Sequence, residues 1–225
     1  MRFAEWEPAY EAILRDFGYD RAGDEAARDE LAALVSDFDL DRLDATGETV
    51  AVVGAAPRLA DELARVAAAD RVFAASTAAD VCLDHGVDVD VHVTDLDKNP
   101  ATSRDLSRRG VPVAAHAHGD NRELVAEWIP EMDDANVLGT TQAAPVDGVR
   151  DVGGFTDGDR AAFLADHVGA DALVFAGWDF DASSGTKRRK LRWAARLLSW
   201  LEARRDETYE ILDGYRDTDW LDALA

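Results

Sequence analysis

Val91-His92-Val93-Thr94-Asp95-Leu96-Asp97 reads as a β-strand that ends in two carboxylates. Val89, Val91 and Val93 are β-branched and spaced by two, the period that sends side chains to one face of a sheet. Thr94 closes the run and leaves Asp95 and Asp97 on the loop at the strand's carboxyl end. In open α/β sheets, ligands bind along that edge. Two carboxylates one residue apart repel unless a proton or a cation stands between them. Mg²⁺, a hard cation, takes oxygen ligands, commonly one or two carboxylates plus substrate phosphates. An ordinary acidic turn is the competing reading, and the composition gives it weight.

The chain of 225 residues carries 46 acidic residues against 24 basic ones, a formal charge of −22. Lysine stands only at Lys98, Lys187 and Lys190, so nearly all the positive charge is arginine. The acids are spread over the whole length. That distribution resembles the surface of extreme halophile proteins, where concentrated salt screens the self-repulsion of a highly charged fold. It speaks against a nucleic-acid partner, whose phosphates need a basic surface. No apolar run reaches the roughly 18 residues of a membrane span, and the first seven residues lack a signal peptide's apolar core. Cys82 is the only cysteine, so no internal disulfide is expected and a reducing cytoplasm fits.

Upstream of the turn, residues 1–45 read as a helical cap. Trp6, Tyr10, Ile13, Leu14 and Phe17 recur at helical spacing, as do Leu31, Leu34 and Val35, and Gly18 and Gly23 mark a break between two helices. A dimerisation arm, and so a homo-oligomer, is the alternative use of this segment. The α/β unit spans residues 46–205. Val50, Val52 and Val53 form its first strand, Gly54 closes it, and Pro57 stands where a helix over 59–69 can start. Such a strand, small-residue turn and helix let backbone N–H groups meet a phosphate. The turn is nevertheless neither G-x-G-x-x-G nor a P-loop. Residues 72–75 form the second strand. Ser76 is placed to cap the next helix, which runs to His85 and stops at Gly86.

Downstream, residues 102–109 read as helix and 111–115 as strand, leading into His116-Ala117-His118-Gly119-Asp120-Asn121. Two histidines beside an aspartate suit Zn²⁺, but no third soft ligand follows at metal spacing. The preferred reading has Gly119 in a tight turn, Asp120 and Asn121 facing the same crevice as Asp95, and Asn121 capping a helix. A strand over 135–138 precedes Gly139-Thr140-Thr141-Gln142, small and hydroxyl-bearing residues suited to line a pocket. In 152–160, V-G-G-F-T-D-G-D-R, the glycines let backbone approach a ligand. Thr156 can cap a helix with Asp159 as its third-position carboxylate, whereas Asp157 and Arg160 have no such simple explanation. A strand over 173–176 ends at Gly177-Trp178-Asp179-Phe180. The helix that follows, from Gly185 to Arg205, holds eight of the 24 basic residues and one acid, Glu202, within 187–205. In so acidic a chain that patch reads as an anion site before a solvated face. Residues 206–225 read as a peripheral helix and tail.

Repeated strand–helix–strand units imply an α/β fold, a doubly wound, mostly parallel sheet flanked by helices, with helical extensions at both termini. In such a sheet four polar clusters share one edge: 94–97, 118–121, 156–159, and 177–179 with Lys187 and Lys190. Their carboxylates, cations and small residues suit a Mg²⁺–polyphosphate, in which carboxylates hold the metal and Lys or Arg offsets developing charge. No Ser–His–Asp or Cys–His set in a nucleophile-elbow context is visible.

V-T-D-L-D-K (93–98), H-A-H-G-D-N (116–121), G-F-T-D-G-D-R-A (154–161) and G-W-D-F…K-R-R-K-L-R-W-A (177–194), in that order, resemble the archaeal 6-hydroxymethyl-7,8-dihydropterin pyrophosphokinase family over roughly residues 45–205. That family's fold is similar to the catalytic domain of thiamine pyrophosphokinases. The resemblance implies transfer of diphosphate from ATP to the hydroxymethyl group of a dihydropterin, releasing AMP, with Mg²⁺, in pterin cofactor biosynthesis. It implies Asp95 and Asp97 as Mg²⁺ ligands and Asp120 as a further ligand or as the group that orients the attacking hydroxyl. Lys187 and Lys190 would hold phosphates, with Gly54, Arg58, Lys98 and Asn121 as further candidate contacts to ATP. Asp157 with Phe155 or Trp178 is our reading of the pterin seat, a carboxylate for the amino-pyrimidine edge and an aromatic for the face; Thr156 and Asp179 flank it. Two positions depart from the family pattern. Gly54-Ala55-Ala56-Pro57-Arg58-Leu59 stands where G-A-G-P-S-L is common, and Lys98 stands where Gly often follows T-D-L-D.

A thiamine pyrophosphokinase is the nearest alternative, but those enzymes usually add a β-rich domain, and no run of alternating strands follows Val174. A non-catalytic nucleotide-binding module is the alternative from another class. It has little use for three metal-competent carboxylates.

Overall fold

The computed structural model of the protein describes residues 1–181 and 185–222. Two helices open the chain, α1 (Phe3–Phe17) and α2 (Arg21–Ala32). The strands and helices then alternate: β1 (Thr49–Val53), α3 (Leu59–Val66), β2 (Arg71–Ala75), α4 (Ala78–Asp84), β3 (Val91–Thr94), α5 (Pro100–Arg108), β4 (Val113–Ala117), α6 (Arg122–Trp128) and β5 (Val137–Thr141). A two-residue strand, β6 (Val149–Arg150), precedes α7 (Asp157–His167), β7 (Ala172–Ala176), α8 (Gly185–Arg205) and the short α9 (Asp219–Asp222).

The strands pair in parallel in the order β6-β5-β4-β3-β2-β1-β7. From β1 to β6 the chain steps one way across the sheet. α7 then carries it back over β1, β2 and β3, and β7 pairs with β1. The sheet is therefore covered on both faces, which explains why its strands are apolar runs rather than alternating ones. Val50, Val52, Phe73, Val91 and Val93 face one cluster, built with α1, α7 and α8. Ala51, Val53, Ala74, Val113 and Val137 face the other, built with α2 to α6. No helix among the described residues is long and apolar enough to cross a membrane.

Local sequence accounts for most element ends. Trp6, Tyr10, Ile13 and Leu14 give α1 its buried stripe, and full burial of side chains such as Ile13 and Leu14 contributes about 1.5–3 kcal/mol each. Gly18 ends α1 in the left-handed region (φ 71°), while Gly23 lies inside α2 rather than at a break. Leu34 falls beyond α2 and is exposed. Thr156 and Asp159 form the expected capping box on α7. Ser76 does not cap α4. It takes φ 51°, and Thr77 holds the cap position without a side-chain bond. Val89 precedes β3 and packs into the cluster opposite to that of Val91 and Val93, because the chain has not yet entered the strand. α3 ends three residues earlier than 59–69 implied, and β4 and β5 each begin two residues later than expected. The segment read as a peripheral tail buries Tyr209, Leu212 and Trp220 in the α8 side of the core; residues 223–225 lie outside the described residues.

At the carboxyl ends of β1 and β7, backbone meets backbone. Gly54 N–H donates to Ala176 O at 2.9 Å, and a Cβ on Gly177 would come within 2.1 Å of Gly54 O. Gly54 is thus explained by close packing of two strand ends.

His92 ties β3 to its neighbours: Nδ1 lies 3.2 Å from Ala74 O and Nε2 lies 3.0 Å from Ser103 Oγ. Burial pushes its pKa down from 6.5 to about 4. The unfolded chain therefore takes up this proton first. The stability held in neutral His92 is complete above pH 6.5 and is lost as pH falls toward 4. One pH unit below the unfolded value the loss is about 1 kcal/mol. Urea midpoints of wild type and His92→Met measured between about pH 7 and about pH 5 should show a shallower acid decline in the variant. Equal slopes would contradict the burial argument.

Candidate active site

With all strands parallel, the ends of β1 to β5 and β7 open on one edge, and two adjoining cavities lie along it. The larger, about 580 Å³, is bounded by Asp95, Asp97, Lys98, His118 and Asp120 from the strand ends, Phe155 to Asp157 and Arg160 from the start of α7, and Lys187 and Lys190 from α8. The smaller, about 230 Å³, lies between the 54–57 turn, Ala75-Ser76 and Trp178-Asp179. Thr156, Asp157, Lys187 and Leu191 border both.

The D-L-D turn is fastened tightly. Thr94 Oγ1 accepts the Leu96 N–H at 2.9 Å, and Asp95 Oδ1 accepts the Asp97 N–H at 3.2 Å. Leu96 pays for this geometry with φ 67°, a left-handed backbone that L-residues avoid, and its fully buried side chain anchors the turn in the core. Asn121 occupies the N-cap position of α6 without capping it, and it borders neither cavity. Its side chain makes no cap bond. Instead Nδ2 donates to Asp95 O at 2.8 Å and His116 O at 2.7 Å, and Oδ1 accepts the His118 N–H at 2.9 Å. Asn121 thus clasps the ends of β3 and β4 and positions Asp95.

The carboxylates differ in electrostatic setting. Burial alone would raise Asp95, but its close contacts with His118 and Asp97, with the Arg160 charge, hold it well below the usual carboxylate range. His118 Nε2 lies 3.6 Å from Asp95 Oδ2. Asp97 is shifted up, by burial and by Asp95, although Lys98 pairs with it at 2.6 Å. Asp157 is pushed up by burial and then by the Asp95 charge, which together outweigh its 3.2 Å pairing with the buried Arg160. Asp120 is exposed and borders the larger cavity. Burial pushes His116 well below its ordinary pKa, and its Nδ1 lies 3.2 Å from Thr140 Oγ1.

Among the described residues, no three of His, Cys, Asp and Glu gather at metal-ligand spacing. Cys82 is buried in the core. The donor set at the turn is a pair of carboxylates, Asp95 and Asp97. Such a pair fits Mg²⁺, which keeps several waters and completes its shell with phosphate oxygens rather than with a protein cage. The three lysines of the chain, Lys98, Lys187 and Lys190, all border the same cavity as that pair.

The structure divides the other candidates. Phe155 borders the larger cavity and Trp178 the smaller, with its Nε1 donating to Val52 O at 3.0 Å, so the two aromatics do not form one seat. Asp179 borders the smaller cavity and accepts the Asp181 N–H at 2.9 Å. Arg58 is turned onto its own helix, with Nε 2.6 Å from Glu62 Oε1, and borders neither cavity. The glycines of 153–158 serve packing. A Cβ on Gly154 would come within 2.6 Å of Arg160 Cα, and one on Gly158 within 2.7 Å of the Trp178 ring. Tyr19, Asp24, His118 and Arg160 border the larger cavity without having been assigned a role from sequence, and Gln142 joins them from the G-T-T-Q stretch.

Removal of the clasp is a direct check. Asn121→Ala leaves two carbonyls and one N–H without a partner, and should lower the unfolding free energy by about 3 kcal/mol in a urea titration. A loss below about 1 kcal/mol would show that the strand ends hold without it.

Comparison with known proteins places the chain in a family. The family described as 6-hydroxymethylpterin diphosphokinase MptE-like matches residues 27–185. A protein of Methanothermobacter thermautotrophicus named 6-hydroxymethyl-7,8-dihydropterin pyrophosphokinase is 36% identical over 232 aligned positions, covering 93% of this chain and 99% of its own. Proteins of the same name from Pyrococcus furiosus and Methanocaldococcus jannaschii are 38% and 29% identical, each covering 90% of this chain and 95% and 96% of their own. The match includes the second half of α2 and every strand of the sheet, and it spans the polar clusters at 94–97, 118–121, 156–159 and 177–179, ending at Gly185 before Lys187 and Lys190. The chain belongs to the 6-hydroxymethylpterin diphosphokinase MptE-like family.

Proposed function

We propose that this protein transfers diphosphate from ATP to the hydroxymethyl oxygen of 6-hydroxymethyl-7,8-dihydropterin, releasing AMP, in the presence of Mg²⁺. Family membership and the names of the relatives support the reaction. The observation that carries it to these residues is the meeting of all three lysines with Asp95 and Asp97 in one cavity of an otherwise arginine-based, acidic chain. Lysine is a compact point charge suited to phosphate oxygens.

Asp95 and Asp97 are the residues that would hold Mg²⁺, which when bound offsets the negative charge of the phosphates. Asp95 is already ionised across the neutral range, so it needs no proton release to serve. Lys98, Lys187 and Lys190 bind phosphate oxygens and neutralise charge that builds on them in the transition state. Asp120 accepts a hydrogen bond from the acceptor hydroxyl and orients it. A bond forms between that oxygen and the β-phosphorus, and the bond from the β-phosphorus to the α–β bridging oxygen breaks. The bridging oxygen leaves with AMP, and the hydroxyl proton passes to Asp120 or to water. Positioning and charge neutralisation carry most of the rate, as expected for a loose phosphoryl-type transition state.

An AMP-release assay in several-molar KCl with Mg²⁺–ATP tests this reading. AMP should form with 6-hydroxymethyl-7,8-dihydropterin and not with thiamine. AMP with thiamine alone would overturn the acceptor, and none with either, from folded protein, would overturn the reaction. Asp97→Asn should lower turnover by about 100-fold or more while ATP still binds. Unchanged turnover would return Asp97 to the status of a surface acid.

A further inference from the structure

The inner wall of the larger cavity carries two neighbouring hydrogen-bond acceptors that the reaction above does not use. Asp24 is only 4% exposed, yet it borders the cavity. Its Oδ2 accepts from the Tyr10 hydroxyl at 2.9 Å and from Gln142 Nε2 at 2.7 Å, and its Oδ1 accepts the Gly119 N–H at 2.8 Å. A carboxylate offers about four lone-pair sites, so one on Oδ1 remains. The same contact sets the Gln142 amide. A carboxylate only accepts, so the atom facing it must be the NH₂ group, and the carbonyl Oε1 is left for another donor. Gln142 is also 4% exposed and borders the cavity, and no described residue donates to its Oε1. An acceptor that no described residue satisfies, on a side chain that borders a cavity, is completed by what the cavity binds.

Both groups are held rigidly. Trp6 Nε1 donates to Gln142 O at 2.9 Å, and Tyr10 holds Asp24 from the same helix, α1. Tyr19 and Phe155 border the same cavity, and Phe17 packs 5.2 Å from each of their rings, so a flat ligand meets an aromatic wall there. The distance to the reacting end is short. Gly119 N–H is bonded to Asp24, and the ring of the preceding residue, His118, lies 3.6 Å from Asp95.

We propose that Asp24 Oδ1 and Gln142 Oε1 receive the two adjacent N–H donors of a 2-amino-4-oxopyrimidine edge, the exocyclic amino group and the ring N3–H, and so select the acceptor. The assignment rests on the reaction proposed above. It moves recognition of that edge away from Asp157, which is paired with Arg160, to the junction of the N-terminal helices with the ends of β4 and β5. The larger cavity then seats the acceptor, and its hydroxymethyl arm extends toward Asp95.

The test compares two acceptors and two proteins. The acceptors are 6-hydroxymethyl-7,8-dihydropterin and its 2-oxo counterpart, in which a carbonyl replaces the amino group; the proteins are wild type and Gln142→Met. Wild type should prefer the amino compound by about tenfold or more in kcat/KM. Gln142→Met should raise KM for the pterin about tenfold, leave KM for ATP within about twofold, and lose most of the preference. Equal preference in the two proteins, or a parallel rise in both KM values, would overturn the assignment. The wild-type comparison needs no variant, and equal kcat/KM for the two acceptors there overturns it as well. Absence of AMP from wild type with the pterin would instead remove the proposed reaction on which this assignment rests.

Discussion

Asp95 stands at the mouth of the cavity because its turn is fastened on three sides. Thr94 and Asp95 close the turn from within, Leu96 pins it to the core, and the Asn121 amide ties it to the end of β4. None of these bonds is strong alone, but a buried donor or acceptor left open is expensive, so together they leave one arrangement. Leu96 accepts a strained backbone within that frame. Stored strain of this kind persists only where the surroundings over-determine it, and such places are commonly functional. The parallel sheet supplies the remaining constraint. It sends Gly54, Ser76, Asp95, His118, Gln142 and Gly177 to one edge, so residues far apart in sequence meet there.

The electrostatic problem of this edge is to receive a polyanion on a chain of charge −22. Three lysines and Arg160 gather at the cavity, but so do Asp24, Asp95, Asp97, Asp120 and Asp157. These acids are not equivalent. Asp95 is held ionised, Asp157 is pushed up, and Asp24 is taken up by three donors. The fold thus spends each carboxylate differently, and the acidity of the surface says little about the chemistry of the cleft.

Much of the framework was legible in the chain because it depends on local pattern. Apolar runs closed by small or acidic residues marked the strand ends, and the Thr156–Asp159 box marked α7. What was not legible depends on tertiary meetings. Asp24 is one of 46 acids, inside a helix read as a cap, and only folding brings it against Gly119 and Gln142. Asn121 had the spacing of a cap, but the ends of β3 and β4 offered its side chain better partners. Arg58 stood beside a promising turn, yet Glu62 lies one helical turn on and takes it. Phe155 and Trp178 looked like alternatives for one aromatic role and border different cavities.

The central claim is that the Asp95–Asp97 turn is where metal and phosphate meet. The most direct measurement is anomalous diffraction from crystals grown with Mn²⁺ and the non-cleavable analogue α,β-methylene-ATP. The account predicts a manganese peak at coordination distance from the Asp95 and Asp97 carboxylates, with the triphosphate reaching Lys98, Lys187 and Lys190. A nucleotide seated away from this edge, or manganese bound without either carboxylate, would contradict it.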